Sequence, residues 1–168
     1  MQVTSKYSKL TLSGIYIAMY IVVMFCTQSF AFGQYQIRIA TALYGLSALF
    51  PFLIIPSAIA NMLSNILMGG LGILDIVGGG FAGLLTAGII AYGKKQGWGN
   101  WIVFLAVTFV PGLLVPLWLS YILHIPYWVL ASTILVGQAI CGVSSFLLVG
   151  ALEKIGVGKN VIMGVMCK

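Results

Sequence analysis

The sequence predicts an all-α, polytopic membrane protein with six transmembrane helices and both termini cytoplasmic, and three observations carry that reading. Hydrophobic residues make up 61% of the 168-residue chain and charged residues 6%, where a soluble domain carries about a quarter charged. Long apolar runs alternate with short breaks rich in Pro, Gly or Lys. The basic residues gather in those breaks and sort by side. So few charges cannot coat a soluble surface, which excludes a soluble enzyme, and the apolar content excludes an intrinsically disordered chain. No linker separates stretches of different composition, so residues 1–168 are expected to form a single membrane domain.

A helix crossing about 30 Å of hydrocarbon needs about 20 apolar residues. Crossings are expected near 10–30, 37–51, 56–69, 73–93, 100–123 and 127–152. The separators are Phe32-Gly33-Gln34, Pro51 to Pro56, Gly69-Gly70, Lys94 to Gly99, and His124-Ile125-Pro126. The first run follows Lys6 and Lys9 and precedes Ser29-Phe30-Ala31, as a signal peptide would, but Leu10 to Cys26 exceeds the usual apolar core of such a leader and is expected to be a membrane helix.

Six crossings put both termini on one side, together with Lys6, Lys9, Lys94, Lys95, Lys154, Lys159 and Lys168. By the positive-inside rule that side is cytoplasmic. The net charge of +6 is then topological, since no basic stripe interleaved with aromatics suggests nucleic acid. The exception is Arg38, at the outer end of the second crossing; Asp75 stands at the outer end of the fourth. In the plain reading Arg38 snorkels to headgroups and Asp75 caps a helix N-terminus. The sharper reading is a polar site open to the outside, because charges at membrane depth mark cavities or pathways.

Small residues recur at four-residue spacing in Gly14 and Ala18, in Gly79, Gly83, Ala87 and Ala91, and in Gly137, Cys141 and Ser145. Such rows let helices approach closely in lipid. Packing within the chain is expected for the fourth and sixth crossings, whereas the pair on the first is more open to a partner. On the third crossing Ser57, Asn61, Asn65 and Gly69 form a polar row that must face protein or a cavity. Asn61 is expected to hydrogen bond between helices; Asn65, nearer the outer end, is a candidate ligand contact.

Catalytic chemistry is not visible. Asp75 and Glu153 fall at opposite ends and form no acid/base pair. His124 has no acidic neighbour in sequence, the cysteines lack metal-ligand spacing, and the glycines near Lys159 lack the spacing and the Ser/Thr of a phosphate-binding loop. The readings open at this point are a substrate-capturing subunit, a small autonomous facilitator or channel, and a structural membrane protein.

The stretch Gly33-Gln-Tyr-Gln-Ile-Arg38-Ile-Ala-Thr-Ala-Leu43, then Ala60-Asn61-Met-Leu-Ser64 and Gly70-Leu-Gly-Ile-Leu-Asp75-Ile-Val, resembles the QueT family of substrate-binding S components of energy-coupling factor (ECF) transporters. Gly112-Leu-Leu-Val-Pro-Leu117, Tyr127-Trp128 and Ala151-Leu-Glu-Lys154 fit the same pattern. The resemblance implies a six-helix S component in a bacterial cell membrane that captures a queuosine precursor, a 7-deazaguanine such as queuine or 7-aminomethyl-7-deazaguanine. It further implies a transmembrane coupling protein docked on Gly14 and Ala18, two cytoplasmic ATPase subunits that supply the energy, and no cofactor or metal. Thr41, Gly112 and Gln138 stand where the family pattern has Glu, Asn and Glu.

For such a ligand Asp75 is the candidate acceptor for the ring N–H and exocyclic amine, by charge-assisted bonding. Gln34, Gln36 and Arg38 would close over it, with Arg38 pairing Asp75 or donating to the ligand carbonyl. Tyr127 and Trp128 are candidates for stacking, or else interfacial belt residues. Gln138 can donate and accept, and Thr41 and Gln138 together imply a weaker preference for a cationic aminomethyl group.

Overall fold

In hydrocarbon every backbone polar group must find its partner within the protein, so runs as apolar as these form helices. The computed structural model describes residues 6–31, 37–68 and 71–157. Among them the regular elements are α1 (Lys6–Cys26), α2 (Gln28–Ala31), the 3-10 segments η1 (Ile39–Ala48) and η2 (Pro51–Leu53), α3 (Ile54–Leu67), α4 (Ile73–Lys95), α5 (Trp101–Leu123) and α6 (Tyr127–Lys154). Four helices, α1, α4, α5 and α6, are long and apolar enough to cross a membrane; Ile39–Ala48 and Pro51–Leu67 are shorter apolar stretches. Gln34, Gln36, Gly69, Lys159 and Lys168 lie outside the described residues, as do the breaks expected at 32–34 and 69–70.

Helix α1 ends at Cys26, before the expected residue 30. The Thr27 hydroxyl and N–H both donate to the Val23 carbonyl, at 2.7 and 3.0 Å, and after this turn α2 takes up the helix again at Gln28. The second crossing differs in kind from the ordinary helix expected over 37–51, because Ile39–Ala48 is a 3-10 helix. Ten residues in this form rise about 20 Å, against about 15 Å in an α-helix. Long 3-10 runs are uncommon, and here neighbours hold the segment. Cys141 and Ser145 of α6 donate to the carbonyls of Arg38 and Ala42 at 3.3 and 2.8 Å, and Ser47 donates to the Ala87 carbonyl of α4 at 3.0 Å. Donors and acceptors both step by four residues, so η1 and α6 run in the same direction. The α6 row expected to pack within the chain thus also supplies hydrogen-bond donors to η1.

The polar row of α3 meets the glycine row of α4 in antiparallel order. A Cβ at Gly79 would lie 2.6 Å from Asn65 Nδ2 and 2.9 Å from Asn61 Oδ1, and one at Gly83 would lie 3.2 Å from the Ser57 carbonyl. Small residues on α4 therefore let the amides of α3 lie against its backbone. Helix α1, the least buried of the four long helices, joins this core through Tyr16 and Tyr20. The Tyr16 hydroxyl pairs with Ser57 Oγ at 2.9 Å and the Tyr20 hydroxyl with that of Tyr44 at 3.1 Å.

At the end of α4 away from Asp75, the Lys94 ammonium donates to Glu153 Oε1 at 2.8 Å and the Asn100 amide donates to Oε2 at 2.6 Å. These bonds tie α4, the start of α5 and the end of α6. Lys94 and Glu153 side chains are 14% and 30% exposed, so the pair is partly shielded from water. Glu153→Gln is expected to lower stability by about 1 kcal/mol, read as a lower melting midpoint in nanodiscs with solute binding at the far end unchanged.

Candidate functional site

Asp75 is placed by the start of α4. Gly72 takes φ +106° at the N-cap, a conformation glycine adopts without steric penalty, and the Asp75 N–H bonds to the Gly72 carbonyl at 3.1 Å. The carboxylate then sits in the first turn, where the helix dipole favours negative charge. Its Oδ2 accepts from the Leu71 N–H at 3.4 Å, a long bond. Capping is only half of its role: Oδ1 accepts from the Trp118 indole N–H of α5 at 3.1 Å, and the residue is 2% exposed.

Arg38, 5% exposed, does not snorkel to an interface. Its Nη1 donates to Asn65 Oδ1 at 3.2 Å, and Asn65 Nδ2 donates to the Asp75 carbonyl oxygen at 3.0 Å. In place of the expected pairing of Arg38 with the Asp75 carboxylate, the Asn65 amide links the Arg38 guanidinium to the Asp75 main-chain carbonyl and so bridges η1 and α4. The Thr41 hydroxyl is shared between the Arg38 carbonyl at 2.7 Å and Gln138 Oε1 at 3.1 Å. Gln138 and Thr41 are both buried.

Five of the expected residues are therefore brought together. Gln138, Thr41, Arg38, Asn65 and Asp75 follow one another in a buried chain of hydrogen bonds that Trp118 completes, and the chain crosses α6, η1, α3, α4 and α5. Two expected residues stand apart from it. The Tyr127 hydroxyl donates to the Leu113 carbonyl at 3.1 Å, and Trp128 is 78% exposed with its ring edge-on to Tyr127. At Gly112 a Cβ would lie 2.6 Å from Leu135 Cδ2, so the position is a contact between α5 and α6 that leaves no room for the Asn of the family pattern without displacing Leu135. Gly14 and Ala18 are exposed on α1, and a Cβ at Gly14 would meet nothing within 4 Å.

Trp118 is the residue that sequence reasoning missed. A signal was available, because an antiparallel α4 and α5 bring the end of α5 level with the start of α4. Its indole lies against Gly78, where a Cβ would be 2.8 Å from two ring carbons. Among the described residues no group of His, Cys, Asp or Glu could hold a metal ion. What the cluster offers a solute is a carboxylate, a guanidinium, two side-chain amides and one aromatic ring, all directed by neighbouring helices.

Long apolar helices around a buried polar cluster define a multi-pass membrane protein, and the cluster is its candidate solute site. The model of the QueT transporter family matches residues 10–154. The chain belongs to that family, and so to the membrane transporters of small molecules. No curated protein and no solved structure matches it.

Proposed function

We propose that the chain is the S component of an ECF importer, a six-crossing subunit with cytoplasmic termini that captures a queuosine precursor from outside the cell. The observation that carries this reading is the buried Asp75 carboxylate, bonded to Trp118, on a residue whose main-chain carbonyl is tied to Arg38 by the Asn65 amide. A 7-deazaguanine presents a ring N–H beside an exocyclic amine, and a carboxylate accepts both. Arg38 donates to the ligand carbonyl, and Gln34 and Gln36 close the first outer loop over it. Trp118, oriented by Asp75, is the aromatic wall, in preference to Tyr127 and Trp128. Thr41 and Gln138 carry no charge, so the site has only a weak preference for a cationic aminomethyl group over a neutral 7-deazaguanine.

The chain shows no nucleotide-binding motif of its own, which fits energy supplied by two ATPase subunits through a coupling protein. The exposed Gly14 and Ala18 on α1 suit close approach of a partner helix. Delivery then follows by toppling of the loaded subunit in the bilayer.

The test is mass spectrometry of small molecules retained by the purified chain, followed by calorimetry with 7-aminomethyl-7-deazaguanine and with 7-deazaguanine itself, which lacks the cationic amine. Retention of a 7-deazaguanine and at most a slight preference for the amine over the neutral base are expected. Binding of neither base, or uptake into proteoliposomes that contain this chain alone, overturns the reading; the second result favours an autonomous facilitator.

A further inference from the structure

Asn61 lies one helical turn before Asn65 on the same face of α3, over the same glycine of α4. It is 4% exposed. Its Nδ2 donates to the Tyr44 hydroxyl at 2.6 Å, and the Tyr44 hydroxyl meets that of Tyr20 at 3.1 Å. Its Oδ1 is buried and, among the described residues, accepts no hydrogen bond. An unpaired buried carbonyl oxygen carries a desolvation penalty that a well-packed core ordinarily avoids.

Turning the amide over does not resolve the matter. The Tyr44 hydroxyl would then donate to the oxygen, but two N–H donors would replace one acceptor on the face toward Gly79, and an NH2 group has more to satisfy than a carbonyl. Substitution at Gly79 is also closed, since a Cβ there would lie 2.9 Å from the oxygen. The oxygen is thus an unpaired acceptor beside the glycine face of α4.

We infer that Asn61 Oδ1 is a ligand acceptor, the deepest in the site, and that it selects a free base over a nucleoside. This rests on the reading of the cluster as a 7-deazaguanine site. If Asp75 takes the pyrimidine-ring N–H and the exocyclic amine, the N–H of the five-membered ring points away from the carboxylate and needs its own acceptor. The Asn61 level lies about 6 Å along α3 from that of Asn65, comparable to the width of a fused two-ring base. A nucleoside carries its sugar on that ring nitrogen and has no hydrogen to donate there.

The experiment titrates the full chain in nanodiscs with queuine and with queuine methylated on the five-membered-ring nitrogen. The wild type is expected to prefer queuine by about tenfold or more, and Asn61→Ala to bind queuine about tenfold more weakly and to lose the preference. Tyr44→Phe separates ligand contact from structural support, because it removes the partner of the Asn61 nitrogen and leaves the oxygen; it is expected to keep the preference. If Asn61→Ala still discriminates, or if Tyr44→Phe loses discrimination to the same extent, the assignment of Asn61 falls while the 7-deazaguanine reading stands. If the wild type binds neither compound, that reading falls and Asn61 falls with it.

Discussion

Asp75→Ala is expected to weaken binding of queuine by at least about 100-fold, measured by calorimetry on the purified chain. Two hydrogen bonds to a charged acceptor are worth about 1.5–3 kcal/mol each, and each 1.4 kcal/mol is about a factor of ten. The substitution also leaves the Trp118 indole N–H, which donates to Asp75 Oδ1 at 3.1 Å, without its acceptor. Trp118→Phe isolates that structural share, because it removes the donor and spares the carboxylate. A loss of affinity in Asp75→Ala much larger than in Trp118→Phe is the expected pattern; undiminished binding by Asp75→Ala would rule out the carboxylate as the ligand acceptor.

Gly79→Leu is expected to give the largest effect on the fold, a destabilisation of about 3 kcal/mol. Even the first carbon of the new side chain would stand 2.6 Å from Asn65 Nδ2 and 2.9 Å from Asn61 Oδ1. To make room α3 must move off α4, and the bond from Asn65 to the Asp75 carbonyl, 3.0 Å in the structure, goes with it. Thermal melting in nanodiscs should therefore fall together with ligand binding. A variant that melts and binds like the wild type would show that α3 and α4 do not interlock through this glycine. The Lys94–Glu153 pair supplies the contrast, since its loss acts on the opposite end of α4.

The candidate site was half legible before any coordinates. Arg38 and Asp75 stood out because charges are rare in this chain: Arg38 breaks an otherwise consistent sorting of basic residues by side, and Asp75 is expected at the same outer end. Asn65 stood out because an amide recurring every fourth residue cannot face lipid. These are local arguments, from composition and helical period. Trp118 escaped them: an aromatic near a helix end is ordinarily an interfacial residue, and only the rotation of α5 against α4 turns its indole N–H onto Asp75. The separation of 43 residues between these partners, and of 97 between Thr41 and Gln138, is out of reach of any periodicity.

The 3-10 form of Ile39–Ala48 escaped for a related reason. Its apolar residues specify burial without specifying pitch, and the donors that hold the segment, Cys141 and Ser145, lie 103 residues away from their acceptors.

By itself, then, the sequence determined the membrane class, the long apolar runs, the rows of small and polar residues and the family, because charge count, apolar run length and helical period are properties of a segment and its near neighbours. The tertiary structure alone decided that Asn65 stands between Arg38 and Asp75, that Trp118 completes the cluster and that Asn61 keeps an unpaired oxygen. Hydrogen bonds across five elements depend on how each helix is rotated and how closely its backbone can approach the next, and those are settled only when all of them pack together.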